Sequence, residues 1–134
     1  MMQSVLLVGL GGFFGAICRY GLSLYVKEHF KGGFPLATLL VNVVGCFFLG
    51  VILTYILNRS ANGQILSPMI TIGFFGALTT FSTFGYETLL LLQQGKSNMA
   101  FANIALNMIV GLIAVMIGQL IATSFWPPIS TTVL

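Results

Sequence analysis

The groups able to handle ions are concentrated in one stretch, Gly73-Phe-Phe-Gly-Ala-Leu-Thr-Thr-Phe-Ser-Thr-Phe-Gly-Tyr-Glu-Thr88. If a helix opens there, Gly76, Ala77 and Thr79 offer backbone carbonyls, which favour a bare cation such as sodium. Thr80, Ser82 and Thr83 add hydroxyl donors, which favour an anion. Phe81 and Phe84, three residues apart, share a helical face, and aromatic rings carry partial positive charge along their edges, so two rings presented edge-on can line an anion path without a formal charge. The alternative is ordinary packing, with Phe at i, i+3 beside Thr and Ser bonded back to the preceding turn.

The element that must position these groups is a membrane span. With 57% hydrophobic and 5% charged residues and a mean hydropathy of +1.05, the chain has too little polar surface to wet a soluble domain. Its 134 residues accommodate four spans of about 20 residues with short connections, and nothing remains for a soluble catalytic domain. The expected architecture is all-α and integral to the membrane: one four-helix domain over 1–134, with spans at about 5–26, 35–57, 68–92 and 99–125. Counted from Pro68, Thr79 and Thr80 lie about 17 Å along a helix, near the middle of a core roughly 30 Å thick. The third helix is therefore expected to break near the midplane, where transport proteins place discontinuous helices and their ligands.

The other spans supply what would surround the break. In the first, Ser4 is a candidate N-cap, Gly11 and Gly15 with Gly12 and Ala16 form smooth rows for close helix packing, and Arg19 sits in the last third, snorkelling or lining a polar cavity. Lys27 to Gly33 reads as a polar connection in which His29 is solvated. Pro35 opens the second span, which carries Thr38 and Asn42. A carboxamide in hydrocarbon is costly unless paired, so Asn42 must face another helix or a water-filled path. Asn58 to Gln64 reads as a turn-rich connection, with Ser67-Pro68 as cap and first residue of the third span. Glu87 falls near the interface and not at the midplane. In the fourth span Asn103 and Asn107 share a face with Gly111 and Gly118, and Trp126-Pro127-Pro128 ends it before a short tail. Cys18 and Cys46 lack metal-ligand spacing and read as small buried hydrophobes. The net charge of +3 is scattered over Arg19, Lys27, Lys31, Arg59 and Lys96, with no patch for nucleic acid, and it leans only weakly toward one orientation in the membrane.

Three of these motifs occur together and in order: Gly11-Gly-x-x-Gly-Ala-x-x-Arg19-Tyr20, Thr38-x-x-Val-Asn42-x-x-Gly45, and Gly73-Phe-Phe-Gly-Ala-Leu-Thr-Thr-Phe-Ser-Thr-Phe84. In them the chain resembles the CrcB/Fluc family of fluoride channels. The resemblance implies a bacterial, multi-pass cell-membrane protein that pairs antiparallel as a dual-topology homodimer and passes fluoride passively out of the cell, giving fluoride resistance. It implies that Phe81 and Phe84 line the pathway with Asn42 as an amide donor beside them, and that Ser82, Thr83 and Asn107 continue a polar track. Arg19, Thr38 and Glu87 would shape vestibules, and the carbonyls of Gly76 and Thr79 would hold a structural sodium ion, two from each subunit. The fourth span departs from the hydroxyl track expected of such a protein, presenting Asn103, Asn107 and Gly111 instead. A proton-coupled exporter of small organic cations would need a midplane carboxylate, which Glu87 does not supply, and a structural membrane subunit would leave the midplane hydroxyls unexplained. No nucleophile, base and orienting group stand in an arrangement that reads as an enzyme.

Overall fold

The computed structural model describes residues 2–59 and 67–127, without the Arg59 side chain. Four helices in it are long and apolar enough to cross a membrane, and no strand occurs among the described residues. The elements are α1 (Met2–His29), α2 (Leu36–Arg59), α3 (69–78), α4 (Phe81–Gln93) and α5 (Ser97–Phe125). Helix α3 is a π-helical stretch, Met69–Phe75, followed by one α-helical turn, Gly76–Leu78. Together α3 and α4 make the third span, interrupted at Thr79 and Thr80. A second π-helical stretch, Leu106–Val110, lies inside α5.

Several helix ends differ from the sequence expectation. Helix α1 begins at Met2, so Ser4 lies inside it and caps nothing. It also runs through Lys27 to His29, because no glycine or proline interrupts it before Gly32 and Gly33. His29 is tied to this last turn, its Nδ1 2.8 Å from the Tyr25 carbonyl and its ring stacked on Tyr25 at 4.2 Å. The Pro35 carbonyl accepts from Leu39 N–H at 3.3 Å and so starts α2. Ser67 and Pro68 are already helical. Gly95, at φ +73°, closes α4 in a conformation that glycine adopts without strain, with Lys96 N–H reaching Leu91 O at 2.9 Å. The proposed turn at Asn58 to Gln64 lies largely outside the described residues, as does the tail after Pro127.

Glycine fixes how the bundle packs. A Cβ at Gly15 would sit on the Phe74 carbonyl, and one at Gly11 on the Met69 carbonyl, so α1 lies backbone to backbone against α3. At Gly118 a Cβ would meet the Phe47 carbonyl, and at Gly50 that of Val115, which brings α2 equally close to α5. Such approach is what small residues provide where lipid offers helices no hydrophobic drive to associate. Val41, Phe75 and Leu78 form the core that joins the two pairs. At the far end of α5 the indole of Trp126 packs edge-on to Tyr55 at 5.0 Å, and its carbonyl accepts from Asn58 Nδ2 at 2.9 Å. Most other large apolar side chains, such as Leu6, Phe101 and Leu112, are exposed, as a lipid-facing surface requires. Cys18 is on that exposed surface and not buried as expected, whereas Cys46 is half-buried beside Gly111.

Candidate functional site

The third span opens where two threonines leave helical geometry. Thr79 (ψ 155°) and Thr80 (φ −147°, ψ 114°) are extended. Thr79 stays fixed to the last turn of α3: its N–H and its hydroxyl both donate to the Phe75 carbonyl, at 3.0 and 2.9 Å. Thr80 begins α4 as its N-cap, its Oγ1 accepting from Thr83 N–H at 3.3 Å.

Asn42 closes the gap from α2. Thr80 N–H, which in a continuous helix would reach the Gly76 carbonyl, donates to Asn42 Oδ1 at 2.8 Å. Asn42 Nδ2 in turn donates to the Thr80 carbonyl at 3.2 Å and to Asn107 Oδ1 at 2.9 Å. A side chain thus replaces the backbone ladder on both sides of one residue, satisfying groups that would each cost about 1–3 kcal/mol if stranded. Both amide protons of Asn42 are committed to protein acceptors. Gly45, three residues on, leaves room for the Thr79 methyl, and Thr38 and Val41 are buried on the same side of α2.

Several of the expected groups converge here. The rings of Phe81 and Phe84 stand 5.4 Å apart, tilted by 55°. They are not equivalent: Phe84 is 6% exposed and Phe81 is 74% exposed. Asn107 is buried against Asn42. Ser82 is on the open face with Phe81 and Gly76, its hydroxyl 3.3 Å from that of Thr80, and Thr83 accepts from Thr80 Oγ1 at 3.0 Å. Arg19, Thr38 and Glu87 also come together. They line a cleft of about 260 Å³ with Tyr20, Ser23, Lys27, Thr80 and Thr83, so polar groups run from the charged end of the bundle to the break. Arg19 Nε and Glu87 Oε2 are buried in it without hydrogen-bond partners among the described residues.

The break also frees carbonyl oxygen. Because Thr80 N–H is taken by Asn42, the Gly76 carbonyl has lost its helical donor, and the last turn of α3 directs its negative dipole end at the gap. Neutral oxygen donors of this type fit a sodium ion.

Two participants were not singled out as site residues from sequence: Thr88, and Asn103 as more than one member of a stripe. Asn103 is fully buried. Its Nδ2 donates to Thr88 Oγ1 at 2.9 Å and its Oδ1 accepts from Asn107 Nδ2 at 2.9 Å. The signal available was Thr88 itself, a hydroxyl one turn beyond Phe84 and directly before the apolar run from Leu89 to Leu92.

A membrane span whose two halves meet at a side-chain-capped break, with a polar cleft leading to it, places this multi-pass protein in the class built around discontinuous helices. Residues 6–119 match the family described as CrcB-like protein, Camphor Resistance (CrcB). The chain is 48% identical over 119 residues to a Shewanella sp. (strain W3-18-1) protein named fluoride-specific ion channel FluC, covering 88% of this chain and 94% of that one. It is 40% identical over 124 residues to a protein of the same name from Clostridium perfringens, covering 90% and 97%. The chain belongs to the CrcB family.

Proposed function

We propose that the protein is a fluoride channel of the bacterial cell membrane that lets the ion leave the cytoplasm passively and so confers fluoride resistance. The observation that carries this reading is the convergence of the cleft, the hydroxyls and the two rings on one helix break, in a chain whose relatives bear the name of that activity. Fluoride is small and strongly hydrated, so a path for it must replace water with close donors. Ser82 and Thr83 supply hydroxyls, and Phe81 and Phe84 supply ring edges, none of which adds a fixed charge that would trap the ion. Arg19 draws anions into the cleft, with Thr38 and Glu87 shaping its wall. Asn42 and Asn107 border the path while holding the break in shape.

The active form in this reading is an antiparallel homodimer. One copy leaves Gly76, Phe81 and Ser82 exposed at the break, and Gly85 and Tyr86 exposed one turn further along α4. Gly76 and Gly85 have open space where a Cβ would stand. Polar groups at that depth are costly against lipid, and a second copy turned about an axis in the membrane plane would cover them with the same surface. It would also bring a second pair of Gly76 and Thr79 carbonyls, so that a sodium ion held between the copies gains four oxygen ligands and neutralises the dipole ends of both α3 helices.

The test is efflux from liposomes loaded with fluoride or, in parallel, chloride, comparing wild type with Phe81→Ile and Phe84→Ile. Rapid efflux of fluoride alone, lost in both folded variants, is the expected result. Absence of fluoride efflux from folded, assembled wild type would sink the reading and leave the proton-coupled exporter as the next to test.

A further inference from the structure

Five hydrogen bonds around the break run head to tail in one direction. Thr80 N–H donates to Asn42 Oδ1, Asn42 Nδ2 to Asn107 Oδ1, and Asn107 Nδ2 to Asn103 Oδ1. Asn103 Nδ2 then donates to Thr88 Oγ1, and the Thr88 hydroxyl to the Phe84 carbonyl at 2.7 Å. The series leaves the third span at the break, crosses α2 and α5, and returns to the third span at Thr88, ending on the carbonyl of a pathway phenylalanine one turn beyond the break.

Its direction is fixed by backbone and not by a choice of amide orientation. Thr80 presents N–H and C=O to the same carboxamide, so Asn42 can satisfy both only with Oδ1 toward the first and Nδ2 toward the second. The remaining Asn42 N–H must find an acceptor, which orients Asn107. Asn107 then needs acceptors for Nδ2 and finds the carbonyl and Oδ1 of Asn103. That leaves Asn103 Nδ2 to donate to Thr88, whose own proton goes to Phe84. Bonds aligned in this way polarise one another in a low-dielectric interior.

We infer that Asn103 and Thr88 are positioning residues for conduction: they complete a closed relay that holds the Asn42 carboxamide in register with Thr80, and so holds the break and the groups it presents in shape. The inference rests on the channel reading above. Without the relay the carboxamide is free to turn away from Thr80, whose N–H and C=O then lose their partner, and the break that carries Phe81, Ser82 and Thr83 loses its shape. Neither Thr88 nor Asn103 touches the ion, and each acts through Asn42.

The test measures fluoride efflux from liposomes and the side-chain amide resonances of asparagine in the labelled, reconstituted protein, with the Asn42 signal assigned by its loss in Asn42→Ala. Thr88→Val keeps the shape and removes the hydroxyl. It should slow efflux roughly tenfold, the effect of one net hydrogen bond, and shift the Asn42 amide signal from three bonds away. Thr88→Ser restores the hydroxyl and should rescue both readouts. Asn103→Leu removes the same bond as Thr88→Val, so the double variant should be no slower than the worse single one. Either single variant is sufficient for the reading should the other not fold. The relay is overturned if Thr88→Val conducts as wild type, if Thr88→Ser is as slow as Thr88→Val, if the Asn42 signal stays in place, or if the two substitutions multiply. A wild type that passes no fluoride instead defeats the channel reading, and the amide signals then decide the relay by themselves.

Discussion

Two helices of this bundle widen into π geometry, and only one of them breaks. In α3 the wide stretch Met69–Phe75 is followed by a single α turn and then by two extended threonines. In α5 the wide stretch Leu106–Val110 passes through Gly111 at φ −61°, ψ −47° and continues as α-helix to Phe125. A widened turn is therefore not what opens a membrane helix. The break needs a partner for the groups that leave the ladder, and α3 has Asn42 for Thr80, with the Thr79 hydroxyl bonding back to Phe75. In α5 the ladder is kept, and the wide turn carries Asn107 toward Asn42. One irregularity opens the chain, and the other supplies the support.

That division predicts unequal damage. Asn42→Leu should be the most harmful substitution of the set, because it removes the partner of both Thr80 N–H and Thr80 C=O, a penalty of up to roughly 6 kcal/mol at about 1–3 for each group. Fluoride efflux should be lost, and thermal unfolding followed by circular dichroism should move well below wild type. A variant of wild-type stability would mean that the break does not depend on its side-chain cap.

Asn107→Leu comes next and sharpens the contrast. Thr80 remains bracketed by Asn42, and the loss is one acceptor for an Asn42 N–H together with the bonds to Asn103. The expected cost is about 1–3 kcal/mol, below that of Asn42→Leu, with slowed efflux. If the two variants unfold together, the cap and its support are a single unit and the distinction between α3 and α5 fails.

Much of the architecture was legible because it rests on composition and local chemistry. Few charges among many apolar residues require membrane spans, and adjacent threonines among glycines at mid-span mark a weak point in a helix. The resemblance to fluoride channels was legible in the three motifs, each of which has residues at the break or in the cleft that leads to it. What stayed hidden depended on rotation and distance. The sequence marks Asn42 as needing a partner, but that the partner is the peptide backbone of Thr80 follows only from how α2 is turned against α3. The same holds for Thr88 and Asn103, which meet across the α4–α5 hairpin. The π stretches leave no periodic trace in so uniformly apolar a sequence. The misplaced end of α1 has a local cause: Lys27, Glu28 and His29 are polar, but they are capable helix formers, and polarity alone does not stop a helix.

The smallest effects test the same comparison at its two glycines. Gly45 faces the break and Gly111 marks the return of α5 to regular geometry. A Cβ at Gly45 would collide with the methyl of Thr79, whose hydroxyl and N–H hold the end of α3, so Gly45→Ala should cost about 1–3 kcal/mol and slow efflux by displacing that turn. A Cβ at Gly111 would meet only Cys46 Sγ, at 3.8 Å, an ordinary contact. There alanine's better helix propensity, worth roughly 1 kcal/mol over glycine, should offset any repacking, leaving Gly111→Ala as stable as wild type or slightly more so. Paired thermal unfolding and efflux measurements on the two variants decide the matter. Equal destabilisation would show that the wide turn of α5 is as strained as the break, whereas damage confined to Gly45→Ala assigns the strict steric demand to the open helix alone.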